Sequence, residues 1–316
     1  MHDKIELSKY EDVKFATRDE ILGQCDIIYS SENLPGEELA KIQPTAHFIS
    51  LLEPYNDSDV VERMDKYPFK TFSMDMIPRT TLAQSMDVLS SMASVAGYKA
   101  VLKAAELLPR YLPMMITAAG SIKPSKVLVI GAGVAGLQAI ATARRLGAMV
   151  EAFDVRSASK EEVESLGAKF VEVEGAKDDK DAGGYAVEQS KEFMERQQEE
   201  VQKRAANSDI IITTAQLRGR PAPKLVLKET VEKMKSGSVI VDLAASTGGN
   251  CEVTEDGKTI VYSGVTIVGN SSLANHMIQD SSILLSNNIF NYINIMVKDG
   301  QLHYDEENEI LAKSKI

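Results

Sequence analysis

Short apolar runs alternate with longer polar segments along most of this chain. Runs of four to six apolar or β-branched residues are typical of buried parallel strands, and the polar segments between them have the length of crossover helices. The predicted strands are residues 26–29, 47–51, 71–74, 126–130, 149–154, 169–173, 210–213, 238–241 and 265–268. This order predicts an α/β fold with doubly wound parallel sheets.

A segment rich in Ala, Leu, Met and Ser divides the chain into two regions. Residues 82–108 contain no proline and end at Pro109, which predicts one long helix. Apolar residues recur at helical spacing over 281–297, and we expect this second helix to return to the first region. The prediction is two Rossmann-like domains with a cofactor in the cleft between them: residues 1–90 with 276–316, and residues 91–275.

A glycine pattern follows the predicted strand 126–130. Gly131, Gly133 and Gly136 match G-x-G-x-x-G before a predicted helix, and Asp154 comes 23 residues after the first glycine. Such a turn lets the backbone and a helix N-terminus approach a pyrophosphate, while the acid accepts hydrogen bonds from ribose hydroxyls. A carboxylate here favours NAD(H) over NADP(H), although the nearby Arg156 weakens that preference. A glycine turn that merely tightens the connection is the structural alternative.

Composition excludes several classes of function. A net charge of −11 and a pI near 5.0 leave no broad basic face, so we expect no nucleic-acid partner. Cys25 and Cys251 lie far apart and the four histidines are scattered, so no metal site is expected. Neither a signal-peptide core nor a membrane span is visible, which predicts a cytoplasmic protein.

A polar segment before the long predicted helix is a second candidate site. Arg79, Gln84, Asp87 and Ser90 fall near the predicted domain junction, where the reactive end of a cofactor would lie. On a helix, Gln84 and Asp87 would share a face, as would Asp87 and Ser90. A capped helix start with a solvated polar face explains the same residues without any function.

These motifs together resemble the NAD(H)-binding component, domain I, of proton-translocating NAD(P) transhydrogenases, within the alanine dehydrogenase/transhydrogenase family. The similarity runs from about residue 10 to the C-terminus. The segments that carry it are 78–91, 96–100, 114–120, 131–143, 154–156, 163–167, 182–185, 213–215, 221–223, 237–244 and 248–251. The resemblance implies hydride transfer between NAD(H) on this chain and NADP(H) on a partner domain. It also implies transmembrane partner subunits that translocate protons, a homodimer, and a peripheral position on the inner membrane, on the matrix side if the protein is mitochondrial.

The resemblance also implies roles for individual residues. Arg79, Gln84, Asp87 and Ser90 would hold the nicotinamide end, and Gln84 would reach toward the second nucleotide. A covering loop corresponds to 178–185. The remaining predicted contacts with the cofactor are Thr80, Thr81, Gly131, Gly133, Val134, Gly136, Asp154, Val155, Arg156, Gly184, Tyr185, Gln197, Ala215 and Gln216. Two positions depart from the family pattern, since Gln216 replaces an aliphatic residue and Leu82 replaces a frequent basic one.

Two other functions compete with this hypothesis. An alanine dehydrogenase-type enzyme would share the fold, but its substrate-binding Lys and His positions correspond here to Ser30 or Ser31 and to Leu51, with His47 out of register. The second alternative is a non-catalytic NAD-binding subunit. It is suggested by the expectation that the first domain lacks roughly its first fifty residues relative to the family, a loss that would expose core.

Overall fold

The computed structural model describes residues 11–172 and 191–316, which form two compact α/β units. The first unit runs to Val88 and includes Ser286–Ile316, and the second is Leu89–Leu285. Within the described ranges, no helix combines the length and the apolarity needed to cross a bilayer.

The second unit is built on a seven-stranded sheet. Its strands are β6 (Lys126–Ile130), β7 (Met149–Phe153), β8 (Lys169–Phe170), β9 (Ile210–Thr213), β10 (Val239–Asp242), β11 (Thr259–Tyr262) and β12 (Val265–Gly269). They lie in the order β11-β12-β10-β9-β6-β7-β8, and all neighbours pair in parallel except β11 and β12. The predicted α/β class is therefore confirmed, with one antiparallel strand at the sheet edge that the sequence pattern did not predict.

Helices cover this sheet because its central strands are apolar on both faces. All four residues of β9 and of β10 are buried. One core cluster includes Val129, Ile140 and Ile212, and a second includes Leu128 and Ile211. The helices of this unit include α4 (Val88–Leu107), α5 (Val134–Arg145), α6 (Ser159–Ser165), α7 (Lys191–Ala206) and α8 (Lys228–Lys233). Adjacent strand residues belong to different clusters, as expected for a sheet buried between two helical layers.

The chain changes direction across the sheet between β6 and β9. From β6 it continues through β7 to β8 on one side, then returns to β9 on the other side of β6. The carboxyl ends of these parallel strands lie at one edge. In open α/β sheets, ligands bind outside that edge at the point where the strand order reverses.

The first unit has a smaller, three-stranded parallel sheet. Its strands are β1 (Ile27–Tyr29), β2 (His47–Ser50) and β3 (Lys70–Ser73), in the order β1-β2-β3. The helices along the chain are α1 (Arg18–Gln24), α2 (Gly36–Leu39) and α3 (Asp59–Met64). Phe48, which is fully buried, lies in the core cluster of this unit.

The C-terminal segment completes the first unit. It comprises the second half of α9 (Ile278–Asn294), the hairpin β13 (Val297–Lys298) and β14 (Gln301–Leu302), and α10 (Glu309–Ser314). Phe72 of β3 forms an antiparallel bridge with Lys315, and the Ile316 N–H donates to the Thr71 carbonyl at 3.0 Å. These contacts cover the free edge of β3 and protect it from pairing with another chain.

The long predicted helix begins later than residue 82. A 3₁₀ helix occupies Thr81–Met86, and α4 starts at Val88. Asp87 between them has φ −75° and ψ 90°, which an α-helix cannot contain. A second unpredicted feature follows α4, where β4 (Met115–Thr117) and β5 (Gly120–Ile122) form a hairpin.

Candidate functional site

The glycine turn lies between β6 and α5, at the point where the strand order reverses. Gly131 has φ +99°, and a Cβ there would lie 2.5 Å from the Thr214 Oγ1. A Cβ on Gly136 would lie 1.8 Å from the Gly131 carbonyl oxygen. These two glycines are therefore required by the packing of the turn against its own helix and against the loop after β9.

Gly133 differs from the other two glycines of the turn. Apart from its chain neighbours, no atom of residues 11–172 and 191–316 lies within 4 Å of a Cβ built on it, and its φ of −80° is open to any L-residue. No described part of the protein explains a glycine at this position. Because Gly133 has no side chain, a pyrophosphate could approach its backbone closely from the open side. This is the role that the sequence predicts for Gly133.

Helix α5 starts directly from this open position. Its N-cap is Gly133, which offers no capping side chain, and its first turn contains no acidic residue. The N-terminal N–H groups of a twelve-residue helix carry partial positive charge and attract an anion. The turn and the helix therefore suit a phosphate group, and they do so with backbone groups alone.

Asp154 follows β7 and lies beside the same turn. Its side chain is 7% exposed, and the Oδ2 accepts the Ala132 N–H at 2.7 Å. The guanidinium of Arg156 forms two further hydrogen bonds to the carboxylate, each of 3.0 Å. The hydrogen bonds that Arg156 donates to Asp154 raise the pKa of Arg156, so this guanidinium remains fully charged at neutral pH. The predicted ribose ligand thus lies beside the glycine turn, but it already holds a cation.

The loop after β9 forms the other wall of the site. The Thr214 hydroxyl donates to the Gly131 carbonyl at 3.0 Å, which ties the loop to the glycine turn. The Gln216 side-chain amide donates to the Leu243 carbonyl at 2.9 Å, so its polar end is used within the fold. Ala215 and Gln216 follow Thr214 directly, and the structure therefore brings them close to the turn.

Two buried polar residues that were not predicted as site residues fix this loop. Asn250 bonds to the N–H and to the carbonyl of Ala215 and donates to the Pro223 carbonyl. Asp242, at the end of β10, accepts from the Ala244 and Cys251 N–H groups and from the Thr254 hydroxyl. Both lie in segments that carry the family resemblance, 237–244 and 248–251. The sequence therefore pointed to these two segments, but it indicated no role for either residue.

The Arg-Gln-Asp motif lies in the first unit. Arg79, Thr81 and Gln84 are exposed on the 3₁₀ helix or just before it, and Thr80 is half-buried. Ala83 and Met86 anchor the same turn in the core. The Ser85 carbonyl accepts from the Asn288 and Asn291 side chains of α9.

This turn presents Arg79 and Gln84, two of the predicted nicotinamide-binding residues, to solvent while its other side is anchored. Asp87 ends the turn, and Ser90 lies in the first turn of α4, within the second unit. Gln84 and Asp87 are therefore not on an α-helix, the element for which the sequence predicted a shared face. Gln84 instead precedes Asp87 by one 3₁₀ turn.

The remaining predicted residues are distributed more widely. Val134 and Val155 are exposed beside the turn and after β7 respectively, and Gln197 is half-buried on α7. The predicted covering loop, with Gly184 and Tyr185, lies outside the described residues.

A cavity of about 400 Å³ lies at the opposite, amino-terminal end of the strands. It is lined by residues that include Arg110, Lys126, Lys235 and the buried Asp209, which accepts hydrogen bonds from all three. This cavity is therefore distinct from the glycine turn, which lies at the carboxyl edge of the sheet.

Two family models match almost the whole chain. Residues 4–96 match the alanine dehydrogenase/PNT N-terminal domain, and residues 100–316 match the alanine dehydrogenase/PNT C-terminal domain. The match to the C-terminal model contains the glycine turn, Asp154 and Asn250. The match to the N-terminal model contains the Arg-Gln-Asp motif.

Individual relatives carry more specific names. One is a Rickettsia prowazekii protein named as the first portion of an NAD(P) transhydrogenase subunit alpha, 45% identical over 292 residues that cover 91% of this chain and 76% of that protein. A solved structure of transhydrogenase from Sinorhizobium meliloti superposes with a TM-score of 0.83 at 42% identity, covering 94% of this chain and 81% of that one. The alanine dehydrogenase of Staphylococcus epidermidis is more distant, at 27% identity over 68% of this chain and 55% of that protein.

Proposed function

The chain belongs to the alanine dehydrogenase/PNT family, and on that premise we propose that it is the NAD(H)-binding component of a proton-translocating NAD(P) transhydrogenase. The transhydrogenase relatives are far more similar to it than the alanine dehydrogenase. The single structural observation that carries the proposal is Gly133, a glycine that faces open space at the N-terminus of α5 beside the carboxylate of Asp154.

The residues present fit a dinucleotide. The α5 N-terminus and the bare backbone at Gly133 would take the pyrophosphate, and Asp154 would take the adenosine ribose. Val134 and Val155 are exposed apolar side chains near these groups, and they suit an adenine ring. Ala215 and Gln216, with Gln197 and the segment around Gly184 and Tyr185, would complete the contacts. Arg79, Thr80, Thr81, Gln84, Asp87 and Ser90 would orient the nicotinamide end.

The chemistry itself would come from the bound nucleotide, since a nicotinamide ring donates or accepts a hydride without a general acid or base. The role of the protein is to fix the ring in position and to exclude water. The exposed side chains of Arg79 and Gln84 suit that role. His47 is buried in the core against Phe72 and is not a candidate base.

The second nucleotide and the membrane step belong to partners under this proposal. NADP(H) would bind to a separate domain, and transmembrane subunits would translocate protons, which would place this chain on the cytoplasmic face of the inner membrane. A net charge of −11 accords with a protein partner rather than with direct binding to an anionic lipid surface. We also propose a homodimer, and light scattering of the purified chain tests it directly.

The decisive experiment mixes the purified chain with the NADP(H)-binding domain of a related transhydrogenase and with NADPH. Reduction of a spectroscopically distinct NAD analogue is then followed. We expect turnover that requires both proteins and that falls at least about tenfold in Arg79→Gln, because this exposed guanidinium orients the substrate. Arg63→Gln is the matched control, since Arg63 is half-exposed on α3 and bonds only the surface residue Asp57 among the described contacts.

Three other results would redirect the proposal. Tight NADH binding without turnover would indicate a non-catalytic NAD-binding subunit. Oxidation of L-alanine with NAD⁺ would indicate an amino-acid dehydrogenase. Equal loss of turnover in Arg63→Gln and Arg79→Gln would remove the assigned role of Arg79.

A further inference from the structure

The carboxylate of Asp154 is saturated with hydrogen-bond donors from the protein itself. The Oδ1 accepts the Arg156 N–H at 2.8 Å and the Arg156 Nε at 3.0 Å. The Oδ2 accepts the Ala132 N–H at 2.7 Å and the Arg156 Nη2 at 3.0 Å. An ionised carboxylate offers about four lone-pair sites. All four are occupied, so a ribose hydroxyl has none to bind.

The four bonds are not equivalent. Two come from backbone N–H groups, at Ala132 and Arg156, and the fold holds them in place. The other two come from the guanidinium of Arg156, whose side chain is 40% exposed and therefore borders solvent. If the guanidinium leaves, each carboxylate oxygen keeps one backbone N–H and regains one free site. The two free sites match the two hydroxyl donors of a ribose diol.

We infer that Arg156 and the adenosine ribose compete for Asp154, so that Arg156 sets both the affinity for the nucleotide and the preference between NAD(H) and NADP(H). This inference rests on the proposed function. It assigns Arg156 a role as a displaceable occupant of the ribose site, in addition to its predicted place among the cofactor contacts.

A second carboxylate is available to the displaced side chain. Glu162 on α6 acts on the same guanidinium and, after the effects of Asp154 and of burial, raises the pKa of Arg156 further. Under this inference, the released guanidinium would stay near the edge of the ribose site. There it would meet the 2′-phosphate of NADP(H), a group that the Asp154 carboxylate repels.

The guanidinium of Arg156 would therefore lower the affinity for NAD(H), by occupying Asp154, and raise the affinity for NADP(H), by its charge. Removing the guanidinium would free Asp154 for the hydroxyls of NAD(H), and it would leave the repulsion of a 2′-phosphate uncompensated. A residue with a merely structural role would change both affinities together, or neither.

The test measures the dissociation constants of NADH and NADPH for the intact chain and for three variants. Arg156→Met keeps the length of the side chain without its charge or donors. We expect it to bind NADH about five- to tenfold more tightly, the range expected when a partly exposed bidentate contact no longer competes. We expect NADPH affinity to be unchanged or weaker, so the preference for NADH rises by at least that factor.

The other two variants separate the possible causes. Arg156→Lys keeps the charge but cannot form the bidentate contact, so NADH should bind with intermediate affinity while NADPH affinity is retained. Asp154→Asn should lose NADH affinity whatever the residue at position 156. Thermal unfolding of each variant verifies that the fold is intact.

Weaker NADH binding by Arg156→Met would overturn the inference, because Arg156 would then be a direct ligand rather than a competitor. Unchanged binding would overturn it as well. If the parent chain and all three variants bind neither nucleotide, the proposed function itself fails, which is a different result from a failure of the competition alone.

Discussion

Asn250 bonds both backbone groups of Ala215, accepting from its N–H at 3.0 Å and donating to its carbonyl at 2.9 Å. The side-chain amide thereby acts like the backbone of a neighbouring strand. The same amide donates to the Pro223 carbonyl at 2.9 Å, so one fully buried side chain holds two points of the long loop between β9 and α8. The wall of the candidate nucleotide site after β9 depends on this clamp.

Substitution of Asn250 by Ala should destabilise the protein and weaken nucleotide binding together. The change leaves the Ala215 N–H and two carbonyls without partners, which should cost about 2–4 kcal/mol of unfolding free energy. Asn250→Asp keeps the acceptor for the Ala215 N–H but sets a buried carboxylate oxygen against the two carbonyls, so it should destabilise at least as much as the Ala variant. Urea unfolding and NADH titration measure the effects. A loss below about 0.5 kcal/mol would show that water replaces the clamp.

The two glycines at the start of α5 should respond to alanine in opposite ways. Gly136→Ala drives a methyl group into the Gly131 carbonyl, so we expect a loss of about 1–3 kcal/mol or more of stability. Gly133→Ala meets no atom within 4 Å and should change stability by less than about 0.5 kcal/mol. Its methyl group would occupy the space toward the ligand, so NADH affinity should fall at least about tenfold.

The pair serves as its own control, because both substitutions add the same methyl group within one turn. Unfolding curves and NADH titrations of both variants are sufficient. Normal NADH affinity in Gly133→Ala would contradict the placement of the pyrophosphate.

Signals that are local in sequence were sufficient for the parallel strands of the large sheet and for the glycine turn. Strands β6 and β9 coincide with the predicted runs, because a buried parallel strand is apolar on both faces and needs no partner to be recognised. The turn is recognisable for a similar reason. Its three glycines recur within six residues before a predicted helix, a spacing that is visible in the sequence alone.

Features set by distant contacts could not be predicted. Asn250 and Ala215 are 35 residues apart, and no pattern near either residue indicates their contact. The short hairpin of β4 and β5 is largely exposed and lacks the alternation that marks a half-buried strand. The 3₁₀ helix before α4 depends on the backbone angles of Asp87 and on bonds from Asn288 and Asn291, more than 200 residues away.

Asp209 should contribute to stability at neutral pH but not in acid. Burial alone would raise its pKa, but the bond from the Lys126 N–H and the charges of Lys235 and Arg110 hold the pKa below its usual value. A carboxyl pKa that is lower in the folded chain than in the unfolded chain stabilises the fold at every pH above the unfolded pKa, which is about 4. This contribution is lost as pH falls through the lower pKa of the folded chain. Asp209→Asn should therefore cost about 1–3 kcal/mol at pH 7 and progressively less below about pH 4.

The matched control for this carboxylate is Asp256→Asn, which changes an exposed residue in the same unit. We expect it to alter stability by less than about 0.5 kcal/mol at either pH. Urea midpoints at pH 7 and pH 3.5 provide the comparison. If Asp209→Asn lowers the unfolding free energy equally at pH 7 and at pH 3.5, the charge of Asp209 does not contribute to stability.

His47 should make the first unit sensitive to mild acid. Its imidazole is 4% exposed and stacks on Phe72, and burial together with the nearby charge of Lys70 lowers its pKa. The unfolded chain therefore takes up a proton on this ring at higher pH than the folded chain does. The unfolding free energy is therefore unaffected by this ring above the pKa of the unfolded chain, which is about 6.5. It falls as pH drops below that pKa, by at most about 1.4 kcal/mol per pH unit for this one group.

Substitution of His47 by Leu removes the titrating ring and keeps an apolar side chain at a core position. The unfolding free energy of this variant should decrease less between pH 7.5 and pH 5.5 than that of the parent chain, as followed by urea unfolding with circular dichroism. His303→Leu, at an exposed position of the same unit, should retain the full acid-dependent decrease. Burial opposes protonation of a neutral imidazole, so removal of His47 should make the fold less sensitive to acid. If both variants lose stability as steeply as the parent, a group other than His47 binds the proton.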